Sequence, residues 1–214
     1  MATACPLCLS HDTKPYMRDK NREYEVCGQC QLIFVPPLFH LDHEAEKQVY
    51  DFHQNSPEDE GYRAFLNKLL APLAQRLPEG AEGLDFGCGP GPTIKPMLEA
   101  QGFSVQNYDI YYQPNEAALC KAYDFITCTE AIEHFSQPHQ ELARFDQLLN
   151  DQGFLGIMTK RPTSKEAFAS WHYKNDPTHI CFFSEETFQW IAQRFNYHLE
   201  FPGNDTVIMQ KKAP

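Results

Sequence analysis

The stretch Leu84-Asp85-Phe86-Gly87-Cys88-Gly89-Pro90-Gly91 decides the fold. Its first three residues read as a short strand. Three glycines at alternate positions follow, and residues 93–101 then read as a helix. Glycine lets the backbone turn sharply and approach a ligand with no Cβ in the way. Open parallel sheets bind ligands beyond the carboxyl ends of their strands, which is where this turn falls. The next predicted strand, 103–108, runs into Asp109, where a carboxylate can accept hydrogen bonds from both hydroxyls of a ribose. A G-x-G-x-G turn alone is shared by several kinds of nucleotide binder. A dinucleotide site more often carries a sixth-position glycine, and Thr93 and Ile94 follow here instead.

Outward from the turn, strand and helix patterns alternate. Upstream, Tyr62, Phe65, Leu66, Leu69, Leu70, Leu73 and Leu77 recur at helical spacing, and Pro78-Glu79-Gly80 stops that helix. Downstream, strands are predicted at 124–129 and 153–159, with a helix at 140–149 between them. A helix over 185–195 turns Phe188, Ile191, Ala192 and Phe195 inward, and two closing strands follow near 197–201 and 205–210. Such alternation predicts an α/β fold, a largely parallel sheet with helices on both faces.

The N-terminal residues follow a different logic. Cys5-Pro6-Leu7-Cys8 and Cys27-Gly28-Gln29-Cys30 are both C-x-x-C, with 18 residues between them. Two such loops can present four thiolates to one tetrahedral ion and leave no open position. Residues 1–36 are therefore read as a structural zinc ribbon on Cys5, Cys8, Cys27 and Cys30. Residues 37–61 are read as a helical linker or lid, with Tyr50 and His53 as candidate parts of the lid, and 62–214 as the main domain.

The chain has 214 residues, 42% of them hydrophobic, and a net charge of −11. That balance argues against bulk nucleic-acid binding, which needs Lys and Arg to neutralise phosphates. Residues 1–36 hold four basic and four acidic side chains, so the ribbon is not basic either. Seven acids against one Lys in residues 41–60 read as a solvated acidic segment. No apolar run approaches membrane-spanning length, and the first residues lack a signal-peptide pattern. A cytoplasmic protein with no membrane partner is the resulting expectation; oligomeric state is left open.

The segment at 84–91, then Asp109, then Asp124-Phe125-Ile126-Thr127-Cys128-Thr129-Glu130, then Gly153-Phe154-Leu155-Gly156-Ile157-Met158-Thr159, closely resembles the class I S-adenosylmethionine-dependent methyltransferases. The similarity runs over about residues 60–210. It implies a Rossmann-like sheet of the seven-stranded type and methyl transfer from S-adenosylmethionine. The cofactor-binding positions it implies are Asp85, Gly87, Cys88, Gly89, Gly91, Asp109, Thr129 and Glu130. One departure stands out. Only about 15 residues separate Asp109 from Asp124, so the unit after the second strand is shortened, and the resemblance leaves the adenine contacts unassigned.

After the strand at 124–129 comes Thr129-Glu130-Ala131-Ile132-Glu133-His134. On one helical turn Glu130, Glu133 and His134 would share a face. With the later Asp176-Pro177-Thr178-His179, this E-x-x-E-H segment resembles two branches of the family, the ubiquinone-pathway O-methyltransferases and the enzymes that methylate the 2′-hydroxyl at RNA 3′ ends. The second branch implies a divalent cation on Glu130, Glu133, His134 and His179. Three roles stay open for these four residues: metal ligation, His134 as a base or orienting group without metal, and shaping of the loop beside the cofactor. Between the two segments, Trp171-His172-Tyr173-Lys174-Asn175 suits an aromatic wall over a substrate pocket.

The leading expectation is an enzyme that methylates a small molecule or biosynthetic intermediate, by O-methylation; the ribbon arrangement also resembles sugar and natural-product methyltransferases. The alternatives are an RNA methyltransferase that docks RNA on the ribbon, and a cofactor-binding or interaction module without chemistry.

Overall fold

The computed structural model describes residues 3–52 and 55–213. The main sheet has six strands: β4 (Glu82–Phe86), β5 (Ser104–Tyr108), β6 (Tyr123–Thr129), β7 (Leu149–Met158), β9 (Tyr197–Glu200) and β10 (Thr206–Lys211). Their order is β5-β4-β6-β7-β10-β9. Neighbours from β5 through β7 pair in parallel, while β10 runs antiparallel to both β7 and β9. This is the α/β, Rossmann-like arrangement expected from the sequence, reduced by one strand. The shortening lies after β5, as the spacing indicated. Residues 110–122 hold a turn closed by the bridge Asp109–Gln113 and one 3-10 turn, Glu116–Leu119, in place of a helix and strand.

The strands alternate in what they bury. On β6, Phe125 joins one core while Ile126 and Cys128 join the other; on β10, Ile208 goes one way and Val207 and Met209 the other. A parallel sheet covered on both faces has to read this way. One face is covered by α2 (Glu60–Ala74) and α3 (Ile94–Glu99). Asp59 caps α2 by accepting from the amides of Gly61 and Tyr62, and Leu66, Leu69, Leu70 and Leu73 form its buried stripe. Burying each leucine contributes on the order of 1.5–3 kcal/mol. The opposite face carries α4 (Pro138–Leu148) and α6 (Glu185–Phe195). Ser184 caps α6, and Asn196 ends it in the left-handed conformation.

A second sheet is built on the N-terminal segment. Strands β1 (Thr13–Arg18), β2 (Glu23–Cys27) and β3 (Ile33–Phe34) form an antiparallel meander, and β3 pairs with β8 (Cys181–Phe182). The ribbon's sheet is thus completed by residues from far downstream, and its apolar side merges with the core under α4 and α6. Helix α1 (His43–Tyr50), capped by Asp42, lies along the path between ribbon and main sheet, followed later in the chain by the short α5 (Lys165–Ser170). Tyr50 closes α1; His53 falls outside the described residues. Among the described residues, no helix is long and apolar enough to cross a membrane.

Candidate active site

A cavity of about 790 Å³ opens at the carboxyl ends of β4, β5 and β6. One end is built from backbone. Gly87 and Gly89 have φ of +77° and +64°, a region that disfavours side chains. A Cβ on Gly87 would also lie 2.7 Å from that of Ala131, whereas one on Gly89 would meet nothing within 4 Å. The turn therefore offers a bare backbone surface to the cavity. Gly91 does not line the cavity; its missing Cβ makes room for the backbone carbonyl of Asn55, which would stand 2.0 Å from it.

Asp109 is pinned from two sides. Its Oδ2 accepts from the Gly89 amide at 3.0 Å, and its Oδ1 accepts from the amides of Tyr111 at 2.8 Å and Tyr112 at 3.0 Å. The carboxylate is held rigidly at the cavity wall; three of its four lone-pair sites are taken, and one on Oδ2 is left for a ligand. Asp85 is nearly buried and accepts from the Thr127 hydroxyl at 2.9 Å. Burial, reinforced by the charge of Asp109, pushes its carboxyl up to about 7. Cys88, Thr129 and Glu130 also line the cavity. So does Ile110, left 57% exposed beside Asp109, a free apolar surface that the sequence reading passed over.

The other end is built from side chains. After β6 the chain makes a 3-10 turn, Ile132–His134, rather than an α-helical one. It brings Glu133 and His134 to His179, and ligand atoms of these three lie within 4.8 Å of one another. The two imidazole rings are 4.7 Å apart, centre to centre. Nδ1 of His134 is 3.1 Å from the carbonyl of Thr178, and Nδ1 of His179 is 2.7 Å from that of Tyr173. A carbonyl can only accept, so each Nδ1 carries the proton; Nε2 of His179 lies 3.9 Å from Asp176 Oδ2. Burial, together with His134, pushes His179 down to about 4, which keeps it neutral at physiological pH. Glu133 is wholly buried, and among the described residues its Oε2 has no hydrogen-bond partner.

Glu130 stands apart from those three. Its backbone is left-handed, with φ of +47°, and its amide donates to the Met158 carbonyl. The Tyr173 hydroxyl links it to the group: that oxygen lies 3.3 Å from Glu130 Oε2, 3.3 Å from Thr159 Oγ1, and within hydrogen-bond reach of Glu133 Oε1. Burial pushes the carboxyls of Glu130 and Glu133 up to about 8 and about 7; the Glu133 charge adds to the first, and the Tyr173 hydroxyl opposes the second. Of the aromatic cluster expected to wall the pocket, His172 and Tyr173 line the cavity, while Trp171 packs on the core and Lys174 is buried in an ion pair with Asp19. Tyr173 is the hub the sequence did not single out within that cluster.

Over the mouth lies α1. Glu46 accepts from Tyr50 and Tyr111 at 2.8 and 2.6 Å, and Tyr112 donates to Asp51 at 2.7 Å. The acidic segment is thus partly committed to hydroxyls on the turn after β5 rather than only solvated. At the ribbon, Sγ atoms of Cys5 and Cys30 lie 3.5 Å apart, and those of Cys8 and Cys27 3.3 Å. Bonds of about 2.3 Å to one tetrahedral zinc ion imply S···S separations of about 3.8 Å, so the four thiols fit the ion with a small outward adjustment.

Residues 58–200 match the family model described as "Methyltransferase domain". No curated protein matches the chain in sequence. Among solved structures, Burkholderia thailandensis 1,6-didemethyltoxoflavin-N1-methyltransferase, with 1,6-didemethyltoxoflavin and S-adenosylhomocysteine bound, aligns at 17% identity, covering 94% of this chain and 100% of that chain, with a TM-score of 0.54. A chain of the complex between the Haloferax volcanii Trm112 methyltransferase activator and a methyltransferase aligns at 12% identity over 78% of this chain and 98% of that one, with a TM-score of 0.51. The C-methyltransferase domain of the citrinin polyketide synthase aligns at 16% identity over 81% and 58%, with a TM-score of 0.51. The chain belongs to the methyltransferase-domain family and is an S-adenosylmethionine-dependent methyltransferase.

Proposed function

We propose that this methyltransferase moves the methyl group of S-adenosylmethionine to a hydroxyl of a small molecule, and that a divalent cation held by Glu133, His134 and His179 assists. The observation that carries this reading is the convergence of one ligand atom each from Glu133, His134 and His179 within 4.8 Å of one another, with both imidazoles turned by backbone carbonyls. Ligating histidines are oriented by such second contacts, and a set of two nitrogens and one carboxylate suits zinc, manganese or iron(II). Such an ion, when bound, lowers the pKa of a coordinated hydroxyl and fixes its position.

The chain's own residues then divide the work. The backbone at Gly87 and Gly89 lies under the amino-acid part of the cofactor, and Asp85 supplies the counter-charge for its ammonium group. Asp109 accepts from a ribose hydroxyl through Oδ2, and Ile110 gives the adenine ring an apolar face. Glu130, with a carboxyl that titrates near neutral pH, stands between the two halves and can take the acceptor's proton. Tyr173 holds Glu130 and Glu133 in register. In this reading residues 1–36 hold zinc on the four cysteines, 37–61 cover the cavity, and 62–214 carry the reaction. The excess of acidic side chains supports a small-molecule acceptor rather than a nucleic acid.

Calorimetric titration with Mn²⁺, which the four-sulfur site does not favour, tests the reading. One ion per chain is expected in the native protein and none in His179→Ala, with S-adenosylhomocysteine affinity unchanged in both. Absence of uptake by native protein would leave His134 as a base acting without metal.

A further inference from the structure

The ribbon reaches the acceptor side of the cavity through one side chain. Arg22 sits at the turn between β1 and β2, where Asp19 Oδ1 accepts from the amides of Asn21 and Arg22 at 2.8 and 3.0 Å. Its guanidinium is buried between the ribbon residue Tyr24 and the segment 174–177. It donates to the carbonyls of Lys174, of Asp176 at 2.9 Å and of Pro177 at 3.1 Å, while Nε donates to the Tyr24 hydroxyl at 3.0 Å. Asp19 balances the charge nearby: it accepts from Tyr24 at 2.9 Å and from Lys174 at 3.0 Å.

Those three carbonyls interleave with the two that orient the imidazoles. The Tyr173 carbonyl holds His179, the Lys174, Asp176 and Pro177 carbonyls hold Arg22, and the Thr178 carbonyl holds His134. The segment is a 3-10 turn over His172–Asn175 followed by irregular chain, with no strand ladder or α-helix; from within, Asp176 Oδ1 accepts from the Thr178 amide and hydroxyl at 2.9 and 2.6 Å, and the carbonyls of Lys174, Asp176 and Pro177 accept from Arg22. A planar, permanently charged fork with several fixed donors can lock such a run of carbonyls, and a lysine cannot reproduce that geometry.

We propose that Arg22 is a positioning residue for the acceptor site: it fixes the peptide run 173–178, which in turn fixes the rings of His134 and His179. The zinc ribbon is then a scaffold for the reacting end, joined to it also by the β3–β8 pairing and by the His139 ring on the Pro6 carbonyl at 3.0 Å. The donor end needs none of this, because its contacts are made by the backbone at 87–89 and by Asp109. The inference rests on reading the imidazoles as the acceptor side, but its test follows ring N–H protons rather than turnover or metal uptake, so the two can fail separately.

The test compares Arg22→Met, similar in size without donors, with Arg22→Lys in the full chain with its zinc. Three signals are read: the ring N–H protons of His134 and His179 by ¹⁵N-edited NMR, amide exchange over 172–180, and S-adenosylhomocysteine affinity by calorimetry. In Arg22→Met the two ring N–H signals should be lost to exchange, amides at 178–180 should exchange at least tenfold faster, and affinity should stay within about twofold. Arg22→Lys, which keeps the charge, should fall between the two and serves alone if Arg22→Met does not fold. Unchanged ring signals in either folded variant, or an affinity loss of tenfold or more alongside them, would overturn the assignment.

Discussion

Replacing Asp85 by Asn should make the protein more stable and a poorer cofactor binder at once. Asp85 is nearly buried, and burial, with the charge of Asp109 adding to it, raises its carboxyl from 3.8 to about 7 despite the Thr127 hydroxyl. Between those values the folded protein holds a proton that the unfolded chain has released. Folding stability therefore falls as pH rises through that window, by about 1.4 kcal/mol per pH unit, and the full deficit above pH 7 is about 4 kcal/mol. Asparagine accepts from Thr127 in the same place, carries no charge, and can turn its amide toward the cavity. Between about pH 5 and pH 8 the native protein should lose roughly 3 kcal/mol that the variant keeps. Glu130 and Glu133 shift in the same direction, but they remain in both proteins and cancel in the difference.

Urea unfolding at several pH values, with slopes compared as well as midpoints, measures this directly. Calorimetry with S-adenosylhomocysteine should show weakened binding, since in the proposed reading Asp85 is the counter-charge of its ammonium group. Parallel stability curves for the two proteins would refute the electrostatic account of Asp85. A variant less stable at pH 8 would show that the carboxylate is fully compensated in the folded chain.

The other expectations are simpler. Asp109→Ala should lower S-adenosylhomocysteine affinity by at least tenfold in calorimetry while the circular dichroism spectrum is kept, because Oδ2 keeps acceptor capacity beyond the one amide it accepts from. Gly91→Ala should cost about 1–3 kcal/mol in urea unfolding, the usual cost of overpacking, since its Cβ would lie 2.0 Å from the Asn55 carbonyl and that backbone must move. Cys30→Ser should reduce the zinc bound per chain, measured by elemental analysis, and should loosen β3 and β8 together in hydrogen exchange, because Cys30 is buried just ahead of β3.

Much of the fold was legible because its signals are local. Ser184 before the apolar spacing of Phe188, Ile191 and Ala192 marks α6, and the structure returns the predicted span of 185–195. The shortened unit after β5 was legible from spacing alone. The C-x-x-C pairs announced a four-sulfur cluster, and the thiols do converge. What the sequence hid is non-local. Two residues, Cys181 and Phe182, complete the ribbon's sheet from nearly 150 positions away, and so short a segment carries no periodicity. Arg22 looked like one of four basic residues in a neutral ribbon, because bonds to main-chain carbonyls leave no trace in the identity of the residues that accept them. Tyr173 was one aromatic among several until its hydroxyl was seen between two glutamates.

This difference follows from how the two halves of the cavity are made. In the proposed reading the donor end depends on backbone that bends where only glycine bends easily, and on one carboxylate held by amides; such constraints are written in residue type at fixed spacing. The acceptor end depends on the orientation of two imidazoles, set by carbonyls that any sequence would provide. Specificity there would come from what holds the carbonyls, which is the ribbon hairpin through Arg22 together with the Asp176 side chain on Thr178. A change of acceptor could therefore arise from substitutions at 19–24 or 172–180 that leave the glycine turn untouched. Conversely, a chain that kept residues 84–91 but lost Arg22 or its carbonyl partners would retain the cofactor site and lose the geometry of the reacting end.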